Sequence, residues 1–479
     1  MTDLLETGAV GLVAMLRSRE LSSRELVEAH LRRIEEVNPV VNAVVTLDPE
    51  GALAAAKRAD AAAAAGRLLG PLHGLPMTHK DTHRTRGMRT TQGSTVLRDQ
   101  VPRQDDLVIA RLRAAGVVTT GKNNVPEFAA GSHTFNDVFG TTTNPYAPDR
   151  SAGGSSGGLA AALAARIQPL GDGSDMGGSV RIPASFCNVV GFRPSYGVIP
   201  APSPLDAWQW LGRTGPMART VEDVALFMAA VAGPVPEVSP AAPLTAESFA
   251  GLPGQEPDGA PLGGVRIGWS PDLGIGIPVE PAVLAVLEAR LRVFEDLCAV
   301  VEEAAIDLRE ADRVFAATRA MHFAAHLGDV VDAHPDRVKP EIAWNVEQGR
   351  RLTARDWIAV TAARTRLQRR VRDFFARYDL FLTPTAQVLP FDATLRYPAS
   401  VAGVGCETYL DWMRSACVVS ATGLPALGVP GGFTPGGLPV GFQFVADHFD
   451  DVRLLRWGRA FEGATEVFRR RPALLEPAA

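Results

Sequence analysis

Two glycine-rich loops and one lysine carry the side chains from which a catalytic apparatus can be built. They are Gly153-Gly154-Ser155-Ser156-Gly157-Gly158, then Asp175-Met176-Gly177-Gly178-Ser179, with Lys80-Asp81 upstream. A serine is a weak nucleophile at neutral pH and needs a proton acceptor beside it. Lysine accepts a proton only when neutral, and burial favours that form by lowering its pKa. Lys80 follows Gly74-Leu75-Pro76-Met77, an apolar and Gly/Pro stretch suited to burying it. Glycines reach positive φ and let successive backbone N–H groups face one point, the geometry that an oxyanion requires. The run from Met176 to Ser179 has that composition, and the apolar residues 159–167 predict a helix whose positive end lies near the first serines.

Each signal has a plainer competitor. Glycine-rich loops with serines also form tight turns or phosphate cradles, but a nucleotide loop continues into Gly-Lys-Ser/Thr, which this one does not. His79 and His83 stand four apart and would share a helical face. They have no HExxH pattern and no third ligand at clear spacing, so they are expected to be polar loop histidines at the mouth of the site. No metal is expected.

Further motifs occur in order along nearly the whole chain: Thr91-Gln92-Gly93-Ser94, Gly121-Lys122-Asn123-Asn124-Val125-Pro126-Glu127-Phe128, Phe139-Gly140 to Asn144-Pro145, Gly191-Phe192-Arg193-Pro194-Ser195-Tyr196-Gly197, Gly215-Pro216-Met217-Ala218-Arg219-Thr220, Thr383-Pro384-Thr385, Gly423-Leu424-Pro425-Ala426 and Gly437-Leu438-Pro439-Val440-Gly441. With the two serine loops and Lys80, this set resembles the amidase signature family, hydrolases with a Ser-cisSer-Lys triad. The resemblance implies Ser179 as nucleophile, Ser155 as the relay serine after a cis peptide bond, and Lys80 as base, with Ser156 a neighbour. It also implies that the N–H groups of Met176, Gly177, Gly178 and Ser179 bind the oxyanion, that Asp175 and Arg181 brace the loop, and that Ala129, Ala130 and Gly131 lie beside the bound acyl group.

One departure concerns the base. Thr78-His79 replace the small apolar residues usual before the lysine, and Thr82-His83-Arg84-Thr85-Arg86 after it is basic. Both departures flank the lysine whose burial the base role requires. Trp208 and Trp210, on a Pro-containing segment between two motifs, either stack on an aromatic substrate or pack against the scaffold.

The implied activity is hydrolysis of an amide C–N bond in a small molecule, without cofactor. The alternative with the same triad is carbamate hydrolysis. A third reading is the amidase-like subunit of a tRNA-dependent amidotransferase. After Gly191-Phe192-Arg193-Pro194 the chain runs into Pro200-Ala201-Pro202-Ser203-Pro204, which is not the motif expected of that branch. Dimers are common among similar proteins, so the resemblance implies a homodimer.

Composition agrees. At 479 residues, 46% hydrophobic and 21% charged, the chain can bury a large core. A net charge of −5 gives no footprint for nucleic acid. Residues 1–30 lack a basic segment followed by an apolar one, and no run of about 18 apolar residues marks a membrane span. A soluble cytoplasmic protein is expected. Cys187, Cys298, Cys406 and Cys417 form no CxxC pair and are expected to be reduced core residues.

Ser22-Ser23-Arg24-Glu25 is a capping box, with Val27, Leu31 and Ile34 on one helical face after it. Residues 51–66 are an alanine-rich helix. Short apolar runs at residues 117–119, 265–268 and 380–382 alternate with long helical stretches, the pattern of an α/β fold. The family fold implied is one large mixed β-sheet with helices on both faces. It would form a single domain over 1–479, with a helical segment 1–66, core motifs 67–232, a Pro/Gly-rich surface connection 233–264, and a remainder 265–479. Residues 283–375 there read as largely helical, and the resemblance implies that such segments help shape the substrate entrance.

Overall fold

The computed structural model describes residues 4–238, 240–254 and 262–475. Part of the connection expected at 233–264, namely 239 and 255–261, lies outside the described residues.

Ser22 does cap the helix Ser23–Val41: its Oγ accepts from the Glu25 amide and Glu25 reciprocates. Capping satisfies N–H groups that have no partner in the first turn. Val27 and Ile34 are buried, while Leu31 is partly covered. The alanine-rich helix spans Pro49–Ala64 and begins two residues before the expected start, because Asp48 caps the Gly51 amide and Pro49 sits in the first turn. Its small residues Ala52, Ala56 and Ala59 are buried, at helical spacing.

Three strands, β1 (Val44–Leu47), β2 (Pro76–Lys80) and β3 (Val118–Asn123), form a small sheet in the order β1-β3-β2. The large sheet contains β4 (Leu170–Asp175), β5 (Val190–Arg193), β6 (Arg213–Ala218), β7 (Arg266–Trp269), β8 (Val300–Glu303), β9 (Leu380–Pro384), β10 (Ala426–Phe433) and β11 (Pro439–Val445). Its order is β8-β7-β9-β11-β10-β5-β6-β4. β7 runs parallel to β8 and β9, and the other pairings are antiparallel, so the sheet is mixed as expected.

Alternate residues of these strands feed two different cores. Leu380 and Leu382 belong to one cluster and Phe381 to the other, and Leu427 and Ala426 divide in the same way. A strand with period 2 that is apolar on both sides must be covered on both faces. Helix Asp451–Thr465 supplies Leu454 and Phe461 to the first core, and helix Arg181–Phe186 supplies Ile182 and Phe186 to the second.

Between residues 283 and 375 the helices include Ala311–Ala333, Pro340–Arg350 and Ala354–Phe375, but edge strand β8 interrupts them. Its residues Val-Val-Glu-Glu are mostly exposed, so the short run carries little apolar signal. The cysteine expectation holds in part. All four thiols are free, and Cys187 and Cys417 are buried, but Cys298 is exposed and Cys406 partly so. Among the described residues no helix is long and apolar enough to cross a membrane.

Candidate active site

Lys80 ends β2 and is fully buried, as is every residue of that strand. The polar residues before it are satisfied in place. The Thr78 amide and Oγ1 both donate to Gln168 Oε1, at 2.9 and 2.6 Å, while His79 contacts Asp172 and Thr119. Arg84 and Arg86 after it point outward, Arg84 pairing with Asp106.

His79 corrects the loop expectation: it lies in the strand, completely buried. His79 Nδ1 and His83 Nδ1 lie 2.6 and 2.7 Å from the two oxygens of Asp172, so the pair clamps one carboxylate. Among the described residues no cluster of three or more His, Cys, Asp or Glu side chains could hold a metal. Burial opposes ionisation of Asp172, but the two imidazoles reverse that and hold it well below the usual carboxylate range.

β4 brings the remaining polar groups. Residues two apart on a strand face the same side. Asp172 accepts from the Lys80 amide at 3.1 Å, and Ser174 places its Oγ 2.8 Å and its carbonyl 3.3 Å from Lys80 Nζ. The first serine loop completes the shell, with Ser155 Oγ at 2.8 Å and Ser156 Oγ at 2.9 Å from Nζ. The Gly154–Ser155 peptide bond is cis. The carbonyl can only accept, but each hydroxyl can accept or donate, so this shell suits a neutral amine with two N–H bonds and one lone pair. Burial lowers the Lys80 pKa to about 7, against the opposing charges of Asp175 and Asp172.

The helix after the first loop spans Gly157–Ala164, starting directly after Ser156. It is two residues earlier than expected at its start and three at its end, where Arg166 takes a left-handed φ of 59° and closes it.

The second serine loop is tied to the first: the Ser156 amide donates to the Ser179 carbonyl at 3.0 Å. Asp175 and Arg181 do brace it. Asp175 Oδ1 accepts from the Gly178 amide at 2.9 Å, and Arg181 donates to both carboxylate oxygens at 3.0 and 2.8 Å. Arg193 donates to the Asp175 carbonyl. Burial works against the Asp175 carboxylate, and the Arg181 and Arg193 guanidiniums hold it well below its ordinary range.

This bracing corrects one expectation. The Gly178 N–H is directed at Asp175 and not into the cavity. Among the described residues no protein acceptor takes the amides of Met176, Gly177 or Ser179.

Gly178 has φ +103°, and a Cβ there would stand 2.5 Å from Ala416 Cβ and 2.8 Å from Ile182 Cδ1. Gly178→Ala is therefore expected to cost about 1–3 kcal/mol through overpacking alone and to move the loop that carries Ser179. Urea unfolding together with turnover checks this; unchanged values in both would show that the loop tolerates a side chain.

A cavity of about 410 Å³ opens over these groups, and Ser155, Ser174, Met176, Ser179 and Ala129 line it. Ser179 is only 7% exposed, at the cavity floor. Ala130 and Gly131 are not part of its lining: Ala130 packs with Phe323, Ile342 and Val346, and Gly131 faces Tyr409. Nor do Trp208 and Trp210 reach it. Trp208 is 66% exposed, and Trp210 is partly buried with the Arg364 guanidinium 3.7 Å from its ring centre.

Sequence reasoning missed Ser174 and the individual wall residues Arg319, His322, Phe323 and His326; their helix, Ala311–Ala333, lies within the segment 283–375 expected to shape the substrate entrance. The signal for Ser174 was its i+2 spacing from Asp172. The signal for the wall was a helix with Phe315, Arg319 and Phe323 at i, i+4 and i+8.

The amidase family profile matches residues 25–455. This chain belongs to the amidase family. Its relatives span almost its whole length. It is 36% identical over 469 residues to an acylamidase of Rhodococcus erythropolis, covering 97% of each chain. It is also 36% identical over 484 residues to a glutamyl-tRNA(Gln) amidotransferase subunit of Moorella thermoacetica, covering 96% of this chain and 97% of that one. A bacterial aryl acylamidase of the amidase signature family superposes with a TM-score of 0.89 at 26% identity, over 98% of this chain and 99% of the other. With its mixed sheet covered by helices, this amidase-family chain is a hydrolase acting on amides.

Proposed function

We infer that this amidase-family chain hydrolyses a carboxylic amide through an acyl-Ser179 intermediate, with Ser155 as relay and Lys80 as base. The observation that carries this reading is the fully buried Lys80 amine, 2.8 Å from Ser155 Oγ and with its pKa drawn down to about 7.

In the acylation step Ser179 Oγ forms a bond to the amide carbon as its proton passes to Ser155 Oγ, whose own proton moves to the lone pair of Lys80 Nζ. The carbonyl oxygen becomes an oxyanion within reach of the Met176, Gly177 and Ser179 amides. The relay then reverses: the C–N bond breaks, the nitrogen takes the proton, and the amine leaves. Water attacks the acyl-Ser179 ester by the same relay and releases the carboxylic acid. Ser156 and Ser174 hold the Lys80 amine on its other sides.

The pH dependence has a definite sign. Lys80 must be neutral to accept the proton, so kcat/KM is expected to fall about tenfold per pH unit below the lysine pKa near 7. A pH–rate profile with no acidic limb between pH 5 and 8 would remove Lys80 from the base role.

The amidotransferase reading is a second one, favoured by the Moorella relative at 36% identity. The aryl acylamidase superposition and the acylamidase relative support a free-standing enzyme. Release of aniline from a matched anilide and alkyl N-phenylcarbamate by the purified chain, with Ser179→Ala as blank, decides among the readings. Anilide turnover by the lone chain supports the amidase, faster carbamate turnover a urethanase, and activity appearing only with partner subunits the amidotransferase.

A further inference from the structure

Arg319 stands in the cavity wall as a buried cation without an acid. It is 4% exposed, and among the described residues no carboxylate lies within the 4.0 Å of an ion pair. Its Nε and Nη2 both donate to the Tyr409 hydroxyl, at 3.2 and 2.7 Å, and Asn345 Nδ2 donates to that same oxygen at 2.7 Å. A hydroxyl oxygen offers two lone pairs, so three donors exceed what it can satisfy. The remaining nitrogen, Nη1, meets only the Met176 sulfur at 3.2 Å, and a thioether is a weak acceptor. The guanidinium also lies over the Phe323 ring, 4.3 Å from its centre, which fixes its plane.

The rest of the wall does not compensate this charge. Its carboxylates are committed elsewhere, Asp175 to Arg181 and Asp106 to Arg84. The other wall arginine, Arg213, differs in kind: it donates to the carbonyls of Trp210, Pro194 and Gly423 and is capped by them. An uncapped buried cation with spare donors, held against a residue of the Ser179 loop, asks for an anionic acceptor from the ligand.

We propose that Arg319 is a specificity residue that binds a carboxylate carried by the amide substrate. The proposal rests on the hydrolytic reading for its use of the cavity, but it is tested by binding. A carboxylate on the acyl side and one on the amine side present the same chemistry to the guanidinium, and two probe pairs separate them: succinanilate against butyranilide, and 4-acetamidobenzoate against acetanilide.

Calorimetry on Ser179→Ala protein measures affinity without turnover. In at least one pair the charged member is expected to bind about tenfold tighter or more, as for a hydrogen-bonded charge. Adding Arg319→Met is expected to bring that ratio to within about threefold, and Arg319→Lys, which keeps the charge but not the fork, to an intermediate value. Equal affinity within both pairs would overturn the proposal. So would Arg319→Met weakening charged and neutral probes alike, because that marks a structural prop for Tyr409. A probe that binds Ser179→Ala through Arg319 but is left intact by the wild-type chain would contradict the hydrolytic reading and leave the Arg319 assignment standing.

Discussion

Ser179→Ala is expected to lower amide turnover by about four to six orders of magnitude, the scale seen when a nucleophile is removed from a catalytic unit that works as one. The fold should be untouched. Among the described residues Ser179 Oγ makes no hydrogen bond within the protein, and the bond that ties the two serine loops uses the Ser179 carbonyl, which alanine keeps. Urea unfolding of the variant should therefore fall within about 0.5 kcal/mol of wild type. Single-turnover release of aniline, run beside the unfolding curve, separates chemistry from stability. A rate near wild type with an intact fold would mean that another group attacks the carbonyl.

Lys80→Met carries the second large effect. Methionine matches the length and volume of the lysine stem but cannot take a proton, so the expected loss is about 10²–10⁴-fold, the usual contribution of general base catalysis. The form of the residual activity is more telling than its size. An acidic limb near pH 7 is expected from Lys80, so the variant's remaining rate should lose that limb. A limb kept at the same pH would assign it to another group, and a rate close to wild type would end the base assignment. The substitution also leaves the hydroxyls of Ser155, Ser156 and Ser174 without their shared nitrogen. A modest loss of stability is expected with it, because buried polar groups are costly when unpaired.

The parts of this site legible in the sequence were those that sit in short local patterns. Lys80, Ser155 and Ser179 stand in contiguous motifs, and the Asp175–Arg181 brace lies within one turn of the second loop. The capping box at Ser22 and the apolar runs of β7 and β9 were legible for the same reason, since their determinants are neighbours in the chain. The misses were determined by tertiary neighbours. His79 reads as a loop histidine until Asp172, 93 positions later, is seen beside it. The Gly178 amide counts as a cavity donor until Asp175 is seen to fold back onto it. Trp208 and Trp210 lie between motifs, yet neither indole lines the cavity, although Gln209 between them does. Arg319 could be noticed as a charge on the apolar face of its helix, but its lack of an acid partner is a property of the folded wall alone. β8 escaped because an edge strand with two glutamates does not need an apolar pattern.

Trapping the acyl-Ser179 intermediate puts the mechanism to its sharpest test. The wild-type chain would be mixed with a p-nitrophenyl ester, quenched in acid during the burst, and followed by intact mass and peptide mapping. One acyl group per chain is expected, located on Ser179 and absent from Ser179→Ala. An acyl group on Ser155 or Ser156, or turnover through no covalent species, would contradict the Ser179 pathway.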